Sequence, residues 1–277
     1  MSPTWNPGDV PESPAVTPAG WLLVLLRGGA ILFLLLVGTL ATLLLRSIEA
    51  PLFKTHRPMT PYITQWVARL SLIIMGIRFE TRGERMAQPG AVVANHVSWL
   101  DIFVLNARKR IYFVSKAEVA GWPGIGFLAR MVGTVFIARD RTQAKTQTAL
   151  FESRLLAGHK LLFFPEGTST DGLRVLPFKP TLFEAFLSPN LRQEIYVQPV
   201  SLIYQAPPGQ DARFYGWWGD MALGPHLLQV LAAPAQGSAT VVYHAPVRVA
   251  DFAERKALAA QVEAVVRGGM PEERQIT

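Results

Sequence analysis

Cysteine is missing from all 277 residues. Its absence excludes a disulfide framework, a thiolate nucleophile and any zinc or iron–sulfur site held by sulfur. Charge is also scarce, at 17% of residues, and acidic side chains are outnumbered, 20 against 27 basic ones. The five histidines, at positions 56, 96, 159, 226 and 244, are too scattered for a recognisable metal site. No Gly-x-Ser-x-Gly elbow, Walker loop or His-Glu-x-x-His helix occurs. Gly124-Ile-Gly126-Phe-Leu-Ala129 imitates a dinucleotide fingerprint, but no apolar strand precedes it. No zinc-finger or RNA-binding pattern is present, so a nucleic-acid partner is not expected. Neither a metal nor a bound cofactor is expected.

What is present is apolar and basic. Half of the residues are hydrophobic, enough for one sizeable core. The formal charge of +7 and a pI near 9.9 call for an acidic partner: an anionic membrane, a phosphorylated substrate or an acidic carrier. A mean hydropathy of +0.23 favours the membrane.

Residues 1–20 carry Pro3, Pro7, Pro11, Pro14 and Pro18 with little apolar content and read as a disordered leader. Residues 21–46 read as a transmembrane helix: Gly28 to Leu45 gives 18 residues without a charge, with Arg27 snorkelling or sitting at an interface. A cleaved signal peptide competes with this reading, but the run is long for one, and Arg46 follows it instead of a small-residue cleavage site. Asp9 and Glu12 precede the span while Arg46, Lys54, Arg57, Arg69 and Arg78 follow it, which predicts a cytoplasmic catalytic domain at the inner membrane. Residues 47–82 read as a linker and an amphipathic interfacial helix, in which Ile63, Trp66, Val67, Leu70, Ile73 and Ile74 recur at helical spacing.

Residues 83–250 alternate strand and helix patterns and predict an α/β domain with one central, mixed sheet flanked by helices. Strands are expected at 91–94, 111–115, 134–138, 161–164, 195–204 and 240–249, and helices near 100–108, 142–157 and 181–187. Residues 251–277 read as a C-terminal helix, ending near Gly268 and Gly269, and a polar tail.

Two strand ends carry chemistry. Ala91-Val-Val-Ala-Asn-His-Val-Ser-Trp-Leu-Asp101 runs from an apolar strand into a polar turn, and open α/β sheets place ligands at such ends. His96 there suits a general base near neutral pH, with Asp101 holding one ring nitrogen. On a continuous helix the two would lie about 140° apart, so His96 must sit in the turn before the helix. Ser98-Trp-Leu-Asp101 equally matches a capping box with no catalytic role. Leu161-Leu-Phe-Phe-Pro-Glu-Gly-Thr-Ser-Thr-Asp-Gly172 is a second strand ending in a turn whose amides and hydroxyls suit a phosphate or other polar head, with Arg174 and Lys179 close behind as cations. Gly133-Thr-Val-Phe-Ile-Ala-Arg139 delivers an arginine to a third strand end.

These residues resemble the 1-acylglycerol-3-phosphate (lysophosphatidic acid) acyltransferases and their glycerolipid acyltransferase relatives over about residues 85–205. The matching blocks are Asn95-His96-Val97-Ser98-Trp99-Leu100-Asp101, Phe136-Ile137-Ala138-Arg139, Phe164-Pro165-Glu166-Gly167-Thr168 and Val197-Gln198-Pro199-Val200, with Lys116 and Trp122-Pro123 between the first two. The resemblance implies His96 as general base and Asp101 as its orienting carboxylate. It implies Arg139, Glu166, Gly167, Thr168 and Lys179 as the binding site for the acceptor's head. The family's Phe-Lys-x-Gly appears here as Phe178-Lys179-Pro180-Thr181, without the glycine. The implied reaction moves an acyl group from acyl carrier protein or coenzyme A to a lysolipid hydroxyl, with lysophosphatidic acid as the first acceptor.

Phe214-Tyr-Gly-Trp-Trp-Gly-Asp220 and Pro225-His226-Leu227 are similar to a proteobacterial subgroup that includes lyso-ornithine lipid acyltransferases, which makes lyso-ornithine lipid the second acceptor. These aromatics also suit a core or a lipid interface. Arg108-Lys109-Arg110 could dock an acidic carrier, although anionic lipid is the commoner explanation of such a run. A catalytically inactive membrane lipid-binding protein is the rival from another class, and the presence of both His96 and Asp101 weighs against it. The expected geometry is one cleft surrounded by His96, Asp101, Arg139 and Glu166 and facing the membrane.

Overall fold

A computed structural model describes residues 4–8, 10–11, 15–54, 56–108, 110–137 and 144–275. Its centre is an eight-stranded mixed sheet in the order β1-β7-β6-β2-β5-β3-β4, with β8 also beside β6. The strands are β1 (Arg78–Arg82), β2 (Gly90–Ala94), β3 (Tyr112–Lys116), β4 (Val135–Ile137), β5 (Leu161–Phe163), β6 (Tyr196–Gln205), β7 (Ser238–Tyr243) and β8 (Val247–Arg248). Strands β6, β2, β5, β3 and β4 run parallel, whereas β7 and β8 are antiparallel to β6 and β1 is parallel to β7.

All five residues of β2 are buried, as a strand covered on both faces requires. Val92 and Ala94 point to one side, with Leu72, Val104 and Val230; Ala91 and Val93 point to the other, with Phe151, Phe183 and Val262. The first side is covered by α1 (Pro18–Phe53), α2 (Thr60–Met75), α3 (Asp101–Asn106) and α6 (Leu223–Ala232). The second is covered by α5 (Ala144–Leu156), a 3-10 helix (Pro180–Leu187) and α7 (Arg255–Gly268). One short helix, α4 (Ile125–Met131), lies between β3 and β4 in sequence.

Helix α1 has 36 residues, about 54 Å of rise, and is long and apolar enough to cross a membrane. It starts earlier and ends later than residues 21–46. Thr17 caps it by accepting a bond from the Gly20 amide at 3.1 Å. Arg27 does not snorkel: Nη1 donates to the carbonyls of Leu231 (2.9 Å) and Ala233 (2.7 Å), neutralising the carbonyl end of α6. Gly38 lets α2 come close, since a Cβ there would lie 2.6 Å from Val67 Cγ2. Glu49, fully buried, caps α2 by accepting from the amides of Met59 (2.6 Å) and Thr60 (2.9 Å) and the Thr60 hydroxyl (2.7 Å). The two helices thus form a hairpin whose outer side keeps Leu25, Phe33, Leu36, Leu40, Leu44, Trp66 and Ile73 exposed.

Several expectations change. The sheet starts at Arg78, not at 83, because Arg-Phe-Glu-Thr-Arg alternates as an edge strand with only Phe79 and Thr81 half-buried. The run 240–249 breaks into β7 and β8 around His244–Pro246. Pro180 opens a 3-10 helix where an α-helix was expected. Helices α4 and α6 were not anticipated, and α6 hid in a short apolar run containing Pro225. The leader is not without structure: Trp5 donates its amide proton to Thr168 Oγ1 at 3.3 Å, and its indole lies 6.1 Å from that of Trp218.

Candidate active site

Strands β2 and β5 are parallel neighbours, with Val93 beside Phe163. Three residues beyond that pair, His96 and Glu166 meet: the His96 amide donates to Glu166 Oε1 at 3.3 Å. Asn95, fully buried, turns the chain out of the sheet while keeping its ladder to β6, since Nδ2 donates to the Leu202 carbonyl (2.9 Å) and Oδ1 accepts the Leu202 amide (2.7 Å).

His96 lies in the turn and Asp101 is the first residue of α3, which resolves the angular conflict of a continuous helix. Asp101 Oδ2 accepts from His96 Nδ1 at 2.7 Å, from the Val97 amide at 2.8 Å and from the Ser98 amide at 3.2 Å. Capping and imidazole-holding are therefore one arrangement rather than rivals. Oδ1 accepts the hydroxyl of Tyr204, on β6, at 2.8 Å. Burial and the Asp101 charge push the Tyr204 phenol well above its ordinary value, so it remains a donor. With Nδ1 donating to a carboxylate, the basic lone pair of His96 resides on Nε2. The histidine side chain is 24% exposed and that of Asp101 is wholly buried, so only the imidazole of this pair can meet a substrate.

The loop after β5 grips the His96 backbone from both ends. Thr170 donates its amide (2.9 Å) and hydroxyl (3.2 Å) to the His96 carbonyl, opposite the amide held by Glu166. Phe164 stacks on the imidazole at 4.1 Å and 10°. The Trp217 amide donates to the Val97 carbonyl at 2.9 Å, and the Ser169 hydroxyl donates to the Trp217 carbonyl. His226 Nδ1 accepts the Trp99 indole N–H at 2.8 Å. Burial lowers the His226 pKa to about 4, which keeps it neutral and able to accept.

Glu166, Gly167, Thr168 and Lys179 all come to this loop, beside His96 and Asp101, whereas Arg139 lies outside the described residues. Glu166 is only 2% exposed and Oε2 has no hydrogen-bond partner among the described residues. Burial, reinforced by Asp101, pushes its carboxyl well above the usual carboxylate range. Gly167 adopts φ +72°, and a Cβ there would lie 2.7 Å from Lys179 Nζ, so the glycine makes room for the ammonium. Thr168 is 8% exposed and its oxygen is occupied by Trp5. Of Arg108-Lys109-Arg110, Lys109 lies outside the described residues, and Arg110 stacks 4.5 Å over the Tyr62 ring. Among the described residues no group of three or more His, Asp or Glu side chains could hold a metal.

Sequence reasoning gave Tyr204 and Trp5 no role, and singled out the stretches that hold Thr170 and Trp217 without foreseeing their contacts with the His96 turn. Tyr204 ends an expected strand, but only the adjacency of β6 and β2 reveals that its hydroxyl meets Asp101. The hydroxyl cluster Thr168-Ser169-Thr170 was a signal for a polar turn, not for a grip on His96.

A family profile described as Acyltransferase matches residues 77–203. The chain is 54% identical over 268 residues to the lyso-ornithine lipid O-acyltransferase of Rhodobacter capsulatus, covering 97% of each chain. It is 39% identical to the protein of the same name from Brucella abortus, covering 76% of this chain and 81% of that one. Its fold is similar to the crystal structure of the 1-acyl-sn-glycerophosphate (LPA) acyltransferase PlsC from Thermotoga maritima, with a TM-score of 0.63 at 21% identity over 90% of this chain and 94% of that one. The chain therefore belongs to the acyltransferase family and is an O-acyltransferase.

Proposed function

We propose that this enzyme transfers a fatty acyl group from a thioester to the free hydroxyl of lyso-ornithine lipid, giving ornithine lipid. The observation that carries the acceptor is the 54% identity to a lyso-ornithine lipid O-acyltransferase along 97% of both chains. The stretch Phe214–Asp220, similar to the subgroup that includes lyso-ornithine lipid acyltransferases, adds support, and Trp217 within it braces the turn that carries His96.

An alcohol is a weak nucleophile at neutral pH. In the proposed mechanism His96 Nε2 takes the hydroxyl proton as the oxygen attacks the thioester carbonyl carbon, and Asp101 stabilises the imidazolium. Collapse of the tetrahedral intermediate breaks the carbon–sulfur bond, and the imidazolium returns the proton to the departing thiolate. No acyl-enzyme is required. The thiol belongs to acyl carrier protein or coenzyme A. Lys179, Gly167 and Arg139 are proposed to line the acceptor's head, with Thr168 and Glu166 behind them as support for the loop.

The reaction is proposed to occur at the cytoplasmic face of the inner membrane. Exposed apolar residues on α1 and α2, together with Ile102 one residue beyond Asp101, Trp122 ahead of α4 and Phe127 on it, favour a lipid-facing site. The test is acyl transfer from labelled acyl carrier protein and acyl-CoA to lyso-ornithine lipid and to lysophosphatidic acid in vesicles. Turnover of lyso-ornithine lipid is expected; turnover of lysophosphatidic acid alone would restore the acceptor that the sequence resemblance places first.

A further inference from the structure

Arg174 lies in the His96-gripping loop and is held by two partners. Its Nε and Nη2 donate to Asp171 Oδ1 (3.3 Å) and Oδ2 (3.0 Å), and Asp171 is 4% exposed. The indole of Trp5 lies under the guanidinium, 5.3 Å from its carbon. Nη1 has no hydrogen bond among the described residues, and the arginine side chain is 34% exposed. A guanidinium fixed by a carboxylate and an aromatic face has lost its rotamer freedom before any ligand arrives, so an incoming anion meets a preorganised donor.

Trp5 is itself anchored. Its amide donates to Thr168 Oγ1 (3.3 Å), its ring packs on the buried Trp218, and Asn6 Nδ2 reaches Asp220 Oδ2 at 3.5 Å. Together with the stacking on Arg174, these contacts bring the segment ahead of α1 onto the loop after β5 and onto the 218–220 stretch. Asp171 directly follows Thr170, whose amide holds the His96 carbonyl, so the loop that carries the arginine is hydrogen-bonded to the backbone of the candidate base. Arg274 also lies within electrostatic reach of Asp171, with Glu273 as its stronger charge partner.

Resting on the acyl-transfer function above, we propose that Arg174, oriented by Asp171 and Trp5, binds the anionic group of the acceptor's head, making the segment before α1 part of the acceptor site and placing both ends of α1 on the catalytic side of the bilayer. For lyso-ornithine lipid that group is the amino-acid carboxylate; for lysophosphatidic acid it would be the phosphate. Both accept hydrogen bonds from a planar guanidinium edge.

The test compares wild type with Arg174→Lys, Trp5→Ala and Trp5→Phe in the full chain, measuring KM for acceptor and donor separately together with thermal stability. Arg174→Lys and Trp5→Ala are expected to raise the acceptor KM about tenfold, the loss of one charge-assisted contact, while the donor KM holds. Trp5→Phe, which keeps an aromatic face, is expected to recover most of the affinity. An unchanged acceptor KM in Arg174→Lys and Trp5→Ala, even with a lowered melting temperature, would make the cluster purely structural and overturn the proposal. Direct binding of lyso-ornithine lipid micelles separates this from the activity itself. A wild type that binds the lipid without acylating it sinks the enzymatic reading, and equal binding by the variants sinks the role of Arg174.

Discussion

The carboxyl ends of β2 and β5 and the α1–α2 hairpin solve opposite problems. At the strand ends, buried polar groups answer one another: Asp101 takes four donors, from His96, Val97, Ser98 and Tyr204, and the His96 backbone is held at both its amide and its carbonyl. Along the hairpin the polar groups are few and used as caps, as Arg27 and Glu49 show, while large apolar side chains lack protein cover. The first region fixes geometry from within; the second leaves an apolar surface whose length and composition suit a membrane. A catalytic histidine needs fixed orientation, and a lipid substrate needs a protein that sits at its bilayer. The contrast separates chemistry from location.

The hairpin side breaks most readily. Leu36 and Leu40 are 61% and 59% exposed near the middle of α1, and changing both to Asp should abolish membrane association, at roughly 2.5–3.5 kcal/mol for each charge. Fractionation of the variant checks this; retention in the membrane fraction would show that α1 is not the anchor.

His226, 2% exposed, has its pKa lowered by burial from 6.5 to about 4, so the folded protein stays unprotonated where the unfolded chain takes up a proton. Above pH 6.5 the group contributes no pH dependence, and stability is lost as pH falls from 6.5 towards 4, by roughly 2 kcal/mol at pH 5. Melting of wild type and His226→Asn in detergent at pH 7 and pH 5 should show the larger loss in wild type. Equal losses would contradict a neutral, buried His226.

Tyr204→Phe removes one of the four donors to Asp101 and should lower kcat by about tenfold with membrane binding unaltered. An unchanged kcat would show that the remaining three donors hold the carboxylate.

Much of the site was legible because its logic is local. His96 and Asp101 are five residues apart, and a strand–turn–helix pattern suffices to place one in the turn and the other at the helix start. Pairing of the strand ends bearing His96 and Glu166 also follows from the α/β pattern once β2 and β5 are neighbours. The rest depends on long-range packing. Tyr204 and Trp217 reach the site through the β6–β2 pairing and a loop some 120 residues downstream. Trp5 was hidden by composition, since a proline-rich stretch gives no periodic signal for a contact with Thr168. Arg27 interrupts an apolar run and invites a snorkelling interpretation, but the carbonyl end of α6 that it caps belongs to an apolar segment too short to stand out.

In the proposed mechanism the imidazole of His96, held by Asp101, carries the acyl transfer. The most direct measurement is the rate of acyl transfer by membrane-reconstituted wild type, His96→Ala and Asp101→Asn at equal protein and bound lipid. Loss of about 10²- to 10⁴-fold in His96→Ala, with a large part of that loss in Asp101→Asn, is the predicted result. Transfer at the wild-type rate by His96→Ala would contradict it.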